Sequence, residues 1–339
     1  MTDTRTDTPS VAERARLVKA EAPIVGAHFL GPSAVFVLGE EALLFATREG
    51  EARSVPVHGG GILASAADGD RVLTGGDDGK VMATDANSES RIVATDPKRR
   101  WIDHVALGPG GAVAWSAGKQ AFAQSGKGGE KSGERMLEVL STVGGLAFAP
   151  KGFRLAIAHY NGATLWFPNA QSEPERLEWK GSHLGASMSP DGKFLVTSMQ
   201  EPMLHGWRLA DGKDMRMSGY GARVRSLDWT VGGKWLATSC STQLILWPFQ
   251  GKDGPMGKTP RILAPTEAQA EVVACHPKQD VVAVGYADGL VLLVRIDDGA
   301  EVLAHKPGGA PVTALAWSAS GDTLAFGIED GEAGVIDLR

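Results

Sequence analysis

One unit of sequence design, repeated along the chain, limits the fold more than any other feature. In GKWLATSCSTQLILW (233–247) a glycine turn precedes a short alternating run, a few polar residues and a second apolar run. The same layout returns in FRLAIAHYNGATLWF (153–167), KFLVTSMQEPMLHGW (193–207) and DVVAVGYADGLVLLV (280–294). It returns again in SAVFVLGEEALLFA (33–46), DRVLTGGDDGKVMAT (70–84), AVAWSAGKQAFAQ (112–124) and DTLAFGIEDGEAGVI (322–336), giving eight copies. The leading turns fall at Gly31, Gly69, Gly110, Gly152, Gly192, Gly232, Lys278 and Gly321, at intervals of 38, 41, 42, 40, 40, 46 and 43 residues.

A short apolar run precedes each hairpin (GLAFAP, GASMSP, VVACHP, TALAWS) and a fourth run follows it (RILAPT, AEVLAHK). Four runs in about forty residues leave no room for helical crossovers and describe a four-stranded antiparallel sheet. One such sheet alone leaves both faces wet, whereas radial packing buries each face against a neighbour and protects the edges. The expected fold is therefore an all-β propeller of eight four-stranded blades, or seven if the first, least typical copy is irregular. The last copy ends at Arg339 after three runs, so ERARLVKAEAPI (13–24) is expected to supply its fourth strand and close the ring. Residues 1–12 read as a disordered tail and 13–339 as a single propeller domain.

These motifs resemble the WD40-repeat family over roughly residues 14–339. The resemblance is carried best by SPDGKFLVTSMQEPMLHGWRLADGK (189–213), TVGGKWLATSCSTQLILW (230–247) and WSASGDTLAFGIEDGEAGVIDL (317–338). Trp166, Trp207 and Trp247 stand at the family's tryptophan position, and Asp77 or Asp78, Asp288 and Asp330 at its turn aspartate. The Trp-Asp dipeptide itself is missing, and so in essence is the Gly-His pair before a blade. The resemblance thus implies a Trp–Ser/Thr–His–Asp hydrogen-bond network that is incomplete in most blades, with packing holding more of the structure.

Composition narrows the function. A net charge of −6 does not describe a general nucleic-acid or anionic-membrane binder. No apolar run approaches the length that spans a bilayer, and MTDTRTDTPSVAERARLVKA lacks the apolar stretch of a secretory leader. Cys240 and Cys275 are too few for a disulfide framework and read as buried, reduced thiols of a cytoplasmic protein.

In blades of this type the loops between strands two and three, and those between blades, open on one end of the ring, here called the top. All three tyrosines (Tyr160, Tyr220, Tyr286) fall there, with KRRW (98–101), His159, His183 and Arg223. Tyr, Trp and Arg bring large contact area with a polar handle, so Arg99, Arg100, Trp101, His159, Tyr160, His183, Tyr220, Arg223 and Tyr286 are the candidate partner-binding residues. KRRW beside an aromatic could grip nucleic acid, but in an acidic chain a salt-bridged loop or a hold on an acidic partner is the stronger reading.

Catalytic patterns do not emerge. GKDGPMGKT (251–259) has the wrong glycine spacing for a phosphate loop, and Pro260 follows where a helix is required. Zinc-ligand spacing is absent, no G-x-S-x-G elbow occurs, and no acid–base pair stands out. His28, His104 and His276 fall on inner strands with no accompanying ligands. The expectation is a non-catalytic scaffold, monomeric by itself, binding a protein or peptide through the top face, with no catalytic residue, cofactor or metal assigned. The alternative is an enzyme or metal-binding protein with its site in the central channel, or a partner of a metal-handling GTPase.

Overall fold

The computed structural model describes residues 8–126 and 133–339. Chain order begins with β1 (Ala15–Lys19). One sheet follows from β2 (Ile24–Leu30), β3 (Ser33–Leu38), β4 (Ala42–Ala46) and β5 (Ala52–Pro56), and the next from β6 (Ile62–Ala67), β7 (Arg71–Gly76), β8 (Lys80–Asp85) and β9 (Ser90–Thr95). A third has β10 (His104–Gly108), β11 (Ala112–Ala117), β12 (Gln120–Gln124) and β13 (Arg135–Glu138). Six strands share the fourth: β14 (Gly145–Phe148), β15 (Leu155–Trp166), β16 (Glu175–Met188), β17 (Phe194–Met199), β18 (Met203–Arg208) and β19 (Lys213–Ser218).

Four-stranded sheets resume with β20 (Leu227–Trp229), β21 (Trp235–Thr238), β22 (Leu244–Pro248) and β23 (Arg261–Leu263). They continue with β24 (Ala270–Cys275), β25 (Val281–Tyr286), β26 (Val291–Arg295) and β27 (Glu301–His305). The last combines β28 (Val312–Trp317), β29 (Thr323–Ile328) and β30 (Glu332–Asp337) with β1. All these pairings are antiparallel, and inner strands of consecutive units pack together, from β28 to β2, β6, β10 and β14, and from β20 to β24 and β28. Across the remaining gap, Trp229 Nε1 donates to Ser187 Oγ at 2.9 Å.

Counted by hydrogen-bonded sheets, the propeller has seven members, six of four strands and one of six, where the repeat predicts eight separate blades. The difference has one cause. Residues 179–182, between the fourth and fifth copies, stay extended instead of forming a separate loop, so β16 serves both copies. Its first part pairs with the end of β15 (Ala163 opposite Leu177), and its later part pairs with β17 (Met188 opposite Leu195). β15 is itself a hairpin: Asn161 and Gly162 (φ 65° and 136°) reverse the chain, and Gly145 of β14 lies opposite Ala158. The shared sheet therefore carries both copies, and Ala156, Leu165, Leu195 and Trp207 pack in one apolar cluster between them.

The core is distributed between neighbouring copies and not gathered at the centre. Close approach is obtained by omitting side chains. A Cβ on Gly75 would sit 2.6 Å from Ile102 Cγ2 of the next copy, inside any real contact, and Gly285 and Gly327 make the same allowance for Val312 and Ile24. Substituting alanine there would drive two blades apart.

At the ring's end, β1 pairs with β30, Ala15 opposite Ile336 and Lys19 opposite Glu332, so both ends of the chain lie in one sheet. The expected tail, residues 1–12, requires a correction. Residues 1–7 lie outside the described residues, but the backbone of Pro9 and Val11 pairs with both polar groups of Leu303 at 2.8 Å. Residues 9–12 are thus docked on β27 of the preceding blade.

Candidate functional site

The top loops interlock around the ring through backbone and side-chain hydrogen bonds. Asp96 closes the KRRW loop by accepting from the N–H groups of Lys98 and Arg100 and from the Arg100 guanidinium, whose Nη2 lies 2.6 Å away. Burial acts to raise the Asp96 carboxyl, but the bonds from Arg100 and Lys98 outweigh it and hold it below its usual range. Arg100 reaches on to Ala117 O and Gln120 Oε1 of the next copy. Val139 and Val143 then bind back to the 118–119 turn, and Tyr160 N–H donates to Ser141 Oγ.

This construction sorts the nine candidate residues into two groups. Arg99, Trp101, Tyr160 and Arg223 are exposed, Trp101 by 62% and Tyr160 by 56%. The others are structural. Arg100 is committed to Asp96, and His159, His183, Tyr220 and Tyr286 are buried. The hydroxyl of Tyr286 donates to Ala264 O at 2.9 Å beneath the loop following β23. Their assignment to a contact surface is therefore corrected: a shared end of the ring does not make a side chain point outward.

The buried members instead tie adjacent loops to the second strand of each blade. Trp247 Nε1 donates to the Tyr220 hydroxyl at 2.7 Å, which meets Thr238 Oγ1 at 2.8 Å, and Thr238 passes its own proton to Ile245 O. His183 offers Nε2–H to Trp179 O at 3.0 Å, so its Nδ1 accepts from Thr197 Oγ1 at 2.7 Å, and burial lowers its pKa. His159 likewise gives Nδ1–H to Tyr160 O and accepts from Thr164.

The sequence reading missed a fourth case. His58 Nδ1–H donates to Asp78 Oδ1 at 3.0 Å, while its Nε2 accepts from Thr74 Oγ1 at 2.8 Å. Burial would raise the Asp78 pKa, but bonds from Gly59 N–H, His58 and Lys80 N–H bring it below the usual carboxylate value. The available signal was a histidine just after a blade, with Thr and Asp at the strand and turn positions of the next hairpin.

The central channel holds two titratable groups of note. Asp228 on β20 accepts from Trp229 N–H and, across to β24, from Cys275 N–H at 2.7 Å, and burial raises its pKa to about 6. His28 on β2 meets Ser65 Oγ at 2.8 Å, and burial lowers it to about 4. Both therefore act as staples between neighbouring inner strands. Among the described residues, no group of three or more His, Cys, Asp or Glu side chains is placed to hold a metal ion, and no helix is long and apolar enough to cross a membrane.

Residues 214–248 match the family described as WD domain, G-beta repeat, and residues 273–339 match the Anaphase-promoting complex subunit 4 WD40 domain. The two matches fall on the last blade with the strands before it and on the hairpin of the sixth copy. Those two stretches are WD40-like, and the propeller topology agrees with that family. Among solved structures, the computationally designed protein Ika8 is similar with a TM-score of 0.74 and 16% identity, over 94% of this chain and 97% of that one. The WD40 repeats of RRP9 are similar with a TM-score of 0.61 and 14% identity, over 98% and 99%. No curated protein matches in sequence. WD40 propellers generally act as non-enzymatic scaffolds for protein partners. In WD40 terms, His58–Thr74–Asp78 and His183–Thr197 are histidine networks of the family type, and Tyr220 stands where a histidine is expected.

Proposed function

We propose that this WD40 propeller is a non-catalytic scaffold that binds a protein or peptide partner across its top face. The observation that carries the reading is a row of uncovered large side chains in successive top loops. Trp101, Leu140 and Tyr160 are 62%, 64% and 56% exposed, while the loops that bear them are fixed by hydrogen bonds. Rigid loops presenting aromatic and aliphatic groups bind with little ordering cost. The proposal includes a cytoplasmic, monomeric protein whose two thiols stay reduced, and a single domain running from the docked N-terminal segment to Arg339.

The test is affinity capture from native extract with wild type and with a Trp101→Ala/Tyr160→Ala/Arg223→Ala variant, both verified as folded by circular dichroism. Loss of the same partner from the variant is the expected result. Equal recovery would remove the top face from consideration.

A further inference from the structure

Charge divides the top face into two arcs. Lys98, Arg99, Lys119 and Arg223 on loops, and Lys180 on the extended 179–182 segment of β16, are exposed between the end of β9 and the start of β20, and none forms an ion pair among the described residues. The facing arc, from the loop after β23 round to the turn after β3, presents Glu40, Glu41, Glu267, Asp288, Glu329 and Asp330 against two lysines, Lys306 and the Lys19 that pairs with Asp330 at 3.1 Å. Asp103, Glu138, Glu178 and Glu201 are the carboxylates that remain on the basic arc outside the Asp96–Arg100 pair, and Glu138 accepts from Gln120 Nε2.

Trp101, Leu140 and Tyr160 lie on the basic arc. Leu140 and Tyr160 also border a groove of about 690 Å³ together with Asn161, Trp179 and Lys180. Two independent properties, unpaired positive charge and uncovered apolar surface, thus coincide on the same arc, with Lys98 and Arg99 beside Trp101 and Lys180 beside Tyr160 in the groove.

We infer that this arc seats an acidic peptide segment of a partner protein, with a large apolar side chain entering the groove beside Leu140 and Tyr160. The inference rests on the top-face reading above and gives the partner its chemistry. Free cations flanking an apolar slot attract a carboxylate-rich segment and hold it by desolvating its aliphatic or aromatic anchor. The acidic facing arc repels the same segment, which fixes where it lies. A polynucleotide fits less well, because its uniform charge would have to avoid the carboxylates of the facing arc.

Fluorescence anisotropy on the full chain tests this with four labelled probes. They are a peptide alternating Glu and Asp with Leu and Phe, the same peptide with Lys for each acid, the acidic peptide with Ser for each apolar residue, and single-stranded DNA. The first probe is expected to bind, more weakly as salt rises. Lys98→Glu/Arg99→Glu/Lys119→Glu and, separately, Leu140→Ser should each weaken it by about tenfold. Glu40→Lys/Glu41→Lys on the facing arc should not weaken it.

No binding of the first probe, equal binding by the charge-reversed variant, or equal binding of the serine peptide would overturn the inference. Preference for DNA would overturn it too. So would a wild-type dimer in sedimentation that charge reversal dissolves, since that result would give the arc to a second copy of this chain. If the top-face alanine variant loses its captured partner while no acidic peptide binds, the face stands and this inference alone falls.

Discussion

Tyr220→Phe is the sharpest probe of what holds the top loops. The tyrosine ring is buried in the cluster with Phe194, Leu236 and Trp247, and phenylalanine would keep that packing. Only the hydroxyl is lost, and it is the middle member of a relay in which Trp247 N–H donates to it at 2.7 Å and Thr238 Oγ1 lies 2.8 Å away. Removal strands the indole N–H and empties an acceptor site on Thr238, both at buried residues. An unsatisfied buried polar group costs about 1–3 kcal/mol, so with one full donor lost and one acceptor weakened the expected loss is about 2–4 kcal/mol. Urea unfolding followed by far-UV circular dichroism measures it, with Tyr160→Phe as the exposed control at within about 0.5 kcal/mol of wild type. A Tyr220→Phe variant as stable as that control would refute the view that this relay, and not packing alone, secures the loop.

Three further outcomes are expected. Deleting residues 1–20 removes β1 and the Pro9–Val11 contact, exposes the edge of β30, and should lower the melting temperature clearly; an unchanged melt would contradict the pairing of β1 with β30. His205 is fully buried against Trp179 and Trp207 with neither ring nitrogen hydrogen-bonded, and burial lowers its pKa to about 3. Its folded pKa lies below the unfolded value, so the unfolded state takes up more protons, and stability present above pH 6.5 is lost as pH falls toward 3. His205→Phe should flatten that acid dependence and raise stability at pH 5, as read from denaturation midpoints across pH; steeper acid sensitivity would be the contrary result. Cys240 and Cys275 are buried, and burial pushes the Cys275 thiol up, so a thiol reagent should label neither until denaturant is added. Rapid labelling of the native protein would show that the two blades open locally.

The fold was legible because a turn and an alternating run recur at nearly constant spacing, and DVVAVGYADGLVLLV indeed becomes the hairpin of β25 and β26. The sheet count was not, since whether four residues such as 179–182 turn or stay extended depends on how the two flanking copies pack. The site was half legible. Tyr160 and Tyr286 occupy the same place at the end of a second strand, yet one is exposed and the other has no accessible surface. In the fourth copy the reversal is completed by Asn161 and Gly162 alone, and Tyr160 stands at its corner. In the seventh, Tyr286 N–H donates to Leu290 O under a longer turn, which keeps the ring inside the blade. Turn geometry, and not residue type, chose the side. Arg100 was hidden for a related reason: its partner Asp96 lies four residues earlier, on a loop whose shape the sequence did not disclose.

The pairing of β1 with β30 also dictates an order of events during translation. Residues 15–19 are synthesised long before the strand they pair with, residues 332–337. Until residues 332–337 emerge, the nascent chain carries an unpaired strand and a growing arc with an open flank, the state most prone to wrong pairing or to capture by a chaperone.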